Sequence, residues 1–263
     1  MSEKTTKTAI ITGGSSGIGR CTAVALQQAG YTVYEFSRRE FPLTGVTHQS
    51  VDVTDEQEVC DAIAEIAAAA GTIDVVVNCA GFGISGAVEF TELAQAKSQF
   101  DVNFFGTVNV NHAVIPFMRR VGHGRIINIS SVAAVAHIPF QAFYSASKAA
   151  ISSYSCALDN EISCYGIRVT AVELGDIRTG FTKARQKNIV GGGRISKSVC
   201  QMERDEQSGM APEVIGAAIA RIAAKKSCAP IVTIGISYKI LGCLCRVLPS
   251  SLRGWIVGKI YAD

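Results

Sequence analysis

Between residues 8 and 234 the chain alternates short, almost wholly apolar runs with longer stretches of helical periodicity. The apolar runs cover residues 8–12, 32–36, 73–78, 125–130, 167–172 and 230–234, with a shorter one at 46–51. They are rich in Ile and Val and lack the polar alternation of a half-exposed strand, as expected of strands covered by helices on both faces. Helical patterns fill the gaps, at 17–29, 55–70, 93–120, 142–165 and 212–224. Asp55, with Glu58 three residues on, predicts a capping box at the start of the second. Such alternation implies βαβ units joined by right-handed crossovers, hence an α/β, doubly wound parallel sheet.

No linker splits the pattern, so residues 1–263 read as a single domain. The least patterned stretch is 175–210, which follows a strand's C-terminal end. An insertion there lies beside the ligand crevice of such a sheet and predicts a substrate lid, with Gly191-Gly192-Gly193 as its hinge. With 48% hydrophobic and 18% charged residues the chain can bury a large core, which excludes intrinsic disorder. A net charge of +3, with basic pairs scattered, is too weak for a nucleic-acid footprint. The 9 cysteines include no C-x-x-C pair, and the 4 histidines are dispersed, so no metal site is expected. Free thiols and an N-terminus without a secretory pattern point to a soluble, cytoplasmic protein. The apolar segment 236–262 reads as two amphipathic helices, with three readings: packing or a subunit interface, an apolar wall of the substrate pocket, or peripheral membrane contact. Lys239 and Arg246 interrupt the segment and Pro249 ends the first run, so no transmembrane span is expected.

The first strand runs into Thr12-Gly-Gly-Ser-Ser-Gly-Ile-Gly19, which opens the first helix. Here Gly13, Ser15, Ser16, Gly17, Ile18 and Gly19 bring backbone N–H groups against a pyrophosphate, at the positive end of a helix. A glycine cluster alone is weak evidence, since any strand-to-helix turn can hold one. The strand before it, the helix after it and the next strand about twenty residues on make the context that of a dinucleotide cradle. At the end of that next strand a carboxylate would favour NAD(H); the position holds Ser37, followed by Arg38 and Arg39. Glu35 comes two residues too early and should point elsewhere. Serine followed by guanidinium groups favours the 2′-phosphate of NADP(H), against the alternative of a plain solvated turn.

In the helix over 142–165, Tyr144 and Lys148 stand one turn apart on one face. Alone the pair means little. Its helix, however, follows the strand ending in Asn128-Ile-Ser-Ser131, on the sheet edge where the cofactor would lie. Taken together, Thr12-Gly13-x-x-x-Gly17-x-Gly19, Asn78-Cys-Ala-Gly81 and Tyr144-x-x-x-Lys148 resemble the motifs of the short-chain dehydrogenase/reductase family. Ser131, 13 residues before Tyr144, and Asn103, 28 before Ser131, stand at that family's spacing, which selects Ser131 over Ser130.

The resemblance implies a Rossmann-type sheet of about seven strands in the order 3-2-1-4-5-6-7. It implies Tyr144 as general acid/base, Ser131 on the substrate oxygen, Lys148 on the nicotinamide ribose, and Asn103 in the proton relay. It also assigns Asp52 and Val53 to the adenine, Asn78, Ala80 and Gly81 to the segment supporting the cofactor, and Thr179 to the carboxamide. Lowering a tyrosine from near 10 to about 7 needs roughly 4 kcal/mol, expected from the nearby ammonium and the oxidised nicotinamide. Two residues depart from the pattern: Cys79 replaces the second asparagine of Asn-Asn-Ala-Gly, and Leu174 the proline of a Pro-Gly pair.

The expected activity is NADP(H)-dependent hydride transfer to or from a hydroxyl/keto group of a hydrophobic substrate. The segment 78–89 and the apolar C-terminus look most like the hydroxysteroid and retinoid branch, with His137 and Phe140 as candidate pocket residues. The alternatives are a 3-oxoacyl or other small-carbonyl reductase, and a non-catalytic nucleotide-binding protein. The resemblance further implies a homodimer or homotetramer paired through the helices over 93–120 and 142–165. The second is rich in small residues, namely Ala146, Ser147, Ala149, Ala150, Ser152 and Ser153.

Overall fold

The computed structural model describes residues 6–39, 42–190 and 192–261. Met1–Thr5, Gly191 of the expected hinge and Ala262 of the expected C-terminal helix therefore lie outside the described residues. The strands are β1 (Thr8–Thr12), β2 (Thr32–Ser37), β3 (Val46–Ser50), β4 (Val75–Asn78), β5 (Ile84–Gly86), β6 (Gly124–Ser131), β7 (Ile167–Leu174), β8 (Gln186–Asn188) and β9 (Ile231–Thr233). Seven of them form one parallel sheet in the order β3-β2-β1-β4-β6-β7-β9. Counted alone, these seven give the expected 3-2-1-4-5-6-7. The remaining two, β5 and β8, pair parallel in a separate ribbon of three residues each. Neither was expected, because three residues carry no readable period.

The helices are α1 (Gly17–Gln28), α2 (Glu56–Ala70), α3 (Leu93–Phe100), α4 (Gly106–Val121), α5 (Ala133–Ala136), α6 (Ala142–Ile162), α7 (Phe181–Ala184), α8 (Gly193–Gln207), α9 (Pro212–Ala223), α10 (Ile236–Val247) and α11 (Ser250–Tyr261). One face of the sheet packs on α1 and α9 through Ala23, Leu26, Ile215 and Ile219. The other packs on α2, α4 and α6 through Val59, Ile63, Val110, Val114, Leu158 and Ile162. Side chains of β1 therefore alternate between two cores, Ala9 and Ile11 into one and Ile10 into the other, which is why the strand reads as continuously apolar.

Two of the expected helices and one expected cap form differently. The helix expected over 93–120 is two helices joined by a π-helical turn at Asp101–Phe105. Tertiary hydrogen bonding drives the widening: Asn103 lies in that turn and binds the backbone of Phe82, a demand that periodicity does not report. The helix over 142–165 ends at Ile162 and closes with a 3₁₀ turn, Ser163–Tyr165. The capping box is half formed. Asp55 accepts from the Gln57 and Glu58 amides at 2.9 and 3.0 Å, but Glu58 Oε2 accepts from the Asp52 amide at 2.8 Å.

Two polar devices fix the elements that carry the site. Arg168 on β7 grips Asp159 on α6 bidentately, from Nε at 2.9 Å and Nη2 at 2.8 Å, while the Val169 amide donates to the same carboxylate at 2.8 Å. Beneath the central strands, Asn78 Nδ2 donates to Asn111 Oδ1 and Asn128 Oδ1 at 2.8 and 2.9 Å. Asn128 in turn donates to Ser155 Oγ at 2.9 Å, linking β4, α4, β6 and α6 through fully buried groups.

Candidate active site

The C-terminal ends of β1, β4, β6 and β7 open into one cavity of about 890 Å³. Its first half is the glycine loop. Gly19 belongs to the opening turn of α1, where an added Cβ would lie 2.3 Å from the Gly13 carbonyl oxygen, so only glycine lets the loop fold onto the helix. The loop is tied to β4 through Thr12, whose hydroxyl accepts from the Cys79 and Ala80 amides at 3.1 and 3.0 Å. Ser16 occupies the N-cap of α1 without a side-chain cap bond, which leaves the first-turn N–H groups for an anion.

At the rim, Ser37 Oγ donates to the Arg39 carbonyl at 2.9 Å and Arg38 Nη1 lies 3.7 Å from Asp52 Oδ2. Both arginines and Asp52 line the cavity. Glu35 is buried beneath the loop, against Gly14 and paired with His48, and does not line the cavity. Asn78 also stays out of it, its amide spent on the asparagine network, while Ala80 and Gly81 of the same turn line the wall.

The reacting end is built from β6, α6 and the π-helical turn. Asn103 Oδ1 accepts from the Phe82 amide at 2.9 Å, and its Nδ2 donates to the Phe82 carbonyl at 3.0 Å and to Ser147 Oγ at 3.1 Å. Ser130 is committed elsewhere, donating to the Lys148 carbonyl at 2.9 Å and meeting Ser152 Oγ at 2.8 Å. Ser131 accepts from the Ala133 amide at 3.1 Å, and its hydroxyl is close enough to the Tyr144 phenol to favour the ionised form. Lys148 Nζ donates to the Ile129 carbonyl at 2.9 Å and lies 5.8 Å from the centre of the Tyr144 ring.

Burial pushes the Tyr144 phenol up to about 12, against the lowering effect of the Ser131 hydroxyl and the Arg185 guanidinium. The expected depression draws on the ammonium and the oxidised nicotinamide together; Lys148 is not among the groups that shift the phenol here. Burial likewise pulls Lys148 down to about 8, against the raising effect of Cys79. The Tyr144–Ser131 pair can therefore present a protonated hydroxyl to a substrate oxygen.

The second half of the cavity is formed by the excursion over 175–210 and the C-terminal helices. Both ends of the excursion are clamped by a bridge between Ile177 and Met210, and its middle holds α7, β8 and α8. Gly193 of the expected hinge is already helical. An added Cβ at Gly175 would strike the Tyr238 ring at 2.2 Å, so glycine there admits α10 to the end of β7, and the Tyr238 hydroxyl donates to Asp176 Oδ2 at 3.0 Å. Glu206 accepts from Thr182 Oγ1 at 2.6 Å and pairs with the buried Arg185. Leu241, Leu244, Leu248, Ile256 and Val257 supply the apolar wall.

Residues 7–189 match the short chain dehydrogenase family. The chain belongs to that family. A 3-ketodihydrosphingosine reductase of Bacteroides thetaiotaomicron is 41% identical over 225 residues, covering 83% of this chain and 84% of that protein. A short-chain dehydrogenase from Streptomyces avermitilis is 28% identical with a TM-score of 0.85, covering 97% of this chain and 96% of the other. ElxO, solved with NADP bound, is 25% identical with a TM-score of 0.77, covering 89% and 99% of the two chains. This short-chain dehydrogenase is thus an oxidoreductase acting on a carbonyl/hydroxyl pair.

Of the residues singled out from the sequence, Gly13, Ser15, Ser16, Gly17, Ile18, Gly19, Ser37, Arg38, Asp52, Val53, Ala80, Gly81, Ser131, Tyr144, Lys148 and Thr179 all line the one cavity. Asn78 and Asn103 hold its walls from behind. His137 and Phe140 do not line it; both have positive φ, 53° and 60°, and the turn they form directs Ile138 and Gln141 inward instead. Thr12, Ser147, Asp176, Arg185, Glu206 and Tyr238 were missed. Their roles depend on contacts across 3 to 68 residues, and only Thr12, beside the glycine motif, had a sequence signal. No described helix is long and apolar enough to cross a membrane, and no described cluster of His, Cys, Asp and Glu could hold a metal.

Proposed function

We propose that this dehydrogenase uses NADPH to reduce the ketone of a long-chain amino lipid of the 3-ketodihydrosphingosine class. The observation that carries the reading is the convergence of Ser131, Tyr144 and Lys148 in one cavity, where a phosphate-ready loop and an apolar chamber meet. The relative named for that ketone supports the substrate class.

The residues present fit a dinucleotide. The uncapped first turn of α1 suits the pyrophosphate, Ser37 with Arg38 and Arg39 suits a 2′-phosphate, and Val53 with Ala80 forms an apolar slot for the adenine. NADPH, when bound, supplies the hydride that turns the carbonyl carbon into a carbinol. Tyr144 holds the proton that the carbonyl oxygen takes up, and Ser131 orients that oxygen. Lys148 converges with Asn103 on Gly81, where a Cβ would lie 3.7 Å from its Nζ and 3.0 Å from Asn103 Oδ1, a polar junction behind the tyrosine suited to proton resupply.

The polar wall favours an amine-bearing ketone. Asp176 and Glu206 border the cavity and both raise the Tyr144 phenol, so a substrate ammonium beside the ketone would offset two carboxylates facing one guanidinium. A hydroxysteroid, the narrower reading from the sequence, brings no such charge. A small carbonyl leaves the chamber unfilled, forfeiting roughly 0.8 kcal/mol per unburied CH₂. A non-catalytic nucleotide binder has no use for the Tyr144–Ser131 pair. The excursion over 175–210 acts as the lid on this chamber. Self-association, expected of the family, would use Ala146, Ala149, Ala150 and Ser153, a small-residue face of α6 left open to solvent or half-open while Ser147 and Ser152 turn inward. NADPH oxidation with 3-ketodihydrosphingosine, a 3-keto steroid and a short ketone tests the reading. Turnover of the amino ketone at least tenfold above the other two is expected, and equal or better turnover of either competitor would overturn it.

A further inference from the structure

The last two helices carry an apolar surface that no described residue covers. Ile236, Ile240, Leu244 and Val247 repeat along one face of α10, and Ile236 and Val247 are 79% and 76% exposed. Trp255 and Ile260 extend the surface onto α11, with Trp255 63% exposed. Contiguous apolar area of this kind marks a docking face.

Charge decides what docks. Residues 236–261 contain Lys239, Arg246, Arg253 and Lys259 and no acidic residue; Arg246 is paired with Glu173 and Arg253 lines the cavity, so the exposed charge on these helices is that of Lys239 and Lys259. A segment both apolar and exclusively basic complements a surface that is both apolar and anionic. Each helix has 12 residues, about 18 Å, which is too short to span a bilayer but suits lying in its interface. The inner sides of the same helices, through Leu248, Ile256 and Val257, line the cavity that holds Tyr144. We propose that α10 and α11 seat the protein on an anionic lipid surface, bringing the apolar half of the cavity to the membrane. The proposal does not depend on which ketone is reduced.

Trp255 is the only tryptophan of the chain, so its emission reports directly on this face. The full-length protein is mixed with phosphatidylcholine vesicles, and separately with vesicles of phosphatidylcholine and phosphatidylglycerol. A blue-shifted emission and co-flotation with the anionic vesicles are expected, weakened by salt. Ile236→Glu with Val247→Glu, on exposed positions outside the cavity, should lower vesicle affinity roughly tenfold or more while turnover of a short soluble ketone stays unchanged. Absence of any shift or flotation with either vesicle would overturn the proposal. A shift that instead follows protein concentration without lipid, with light scattering at the mass of two chains, would show a face between copies and overturn it equally.

Discussion

Asn103 and Ser147 meet side chain to side chain at 3.1 Å, across the joint between the π-helical turn and α6. Ser147 passes the contact on, its hydroxyl donating to the Tyr144 carbonyl at 2.8 Å. The turn that interrupts the expected helix is thereby coupled to the backbone of the residue assigned the proton transfer. Asn103→Ala would leave the Phe82 amide without its side-chain partner, while the Phe82 carbonyl keeps Gln99 Nε2 at 3.1 Å. We expect a loss of about 1–3 kcal/mol of stability in urea unfolding and at least a tenfold fall in kcat. Unchanged kcat at full stability would show that this joint does not position the site.

The asparagine network makes a separate stability claim. Asn128→Leu deletes the acceptor of Asn78 and the donor to Ser155 in a region closed to water. The expected cost is about 1–3 kcal/mol, read as a lower denaturant midpoint with an unchanged slope. A neutral result would mean that the remaining amides repair the network among themselves.

Most of the scaffold was legible because β1, β4, β6 and β7 are buried on both faces, and that burial writes itself as unbroken Ile and Val. The cofactor half of the cavity was legible for a different reason: phosphate binding needs local backbone geometry, so Gly13 to Gly19 stand together in the chain. The polar wall was not. Arg185, Glu206 and Asp176 come together only because the Ile177–Met210 bridge folds the excursion back, and nothing in their local spacing encodes that meeting. The π-helical turn escaped notice because Asn103 is drawn in by Phe82, 21 residues earlier.

Cofactor preference rests on the rim. Ser37→Asp with Arg38→Leu should shift the enzyme from NADPH towards NADH. Loss of one charge-assisted phosphate contact, worth about 1.5–3 kcal/mol, predicts a ten- to hundredfold fall in kcat/KM for NADPH. A wild type that already prefers NADH would refute the assignment of Arg38.

The two perturbed groups set the pH profile. Tyr144, at about 12, keeps its proton across the working range, whereas Lys148, at about 8, loses its charge as pH rises through that value. A lysine pulled below its ordinary 10.5 is cationic only on the acid side of its folded value. The kcat/KM for ketone reduction should therefore hold steady below pH 8 and decline above it, and Lys148→Arg should flatten the decline. A break only near 10 would place the ammonium in water, contrary to its burial.

The central claim is that the Tyr144 hydroxyl delivers the proton while the rest of the cavity binds. Comparing wild type with Tyr144→Phe for NADPH-dependent reduction of 3-ketodihydrosphingosine, alongside an NADPH titration of each, tests it most directly. The account predicts a fall in turnover of about 10²–10⁴-fold or more with NADPH affinity within about twofold of wild type. Turnover near the wild-type rate would contradict it and remove Tyr144 from the mechanism.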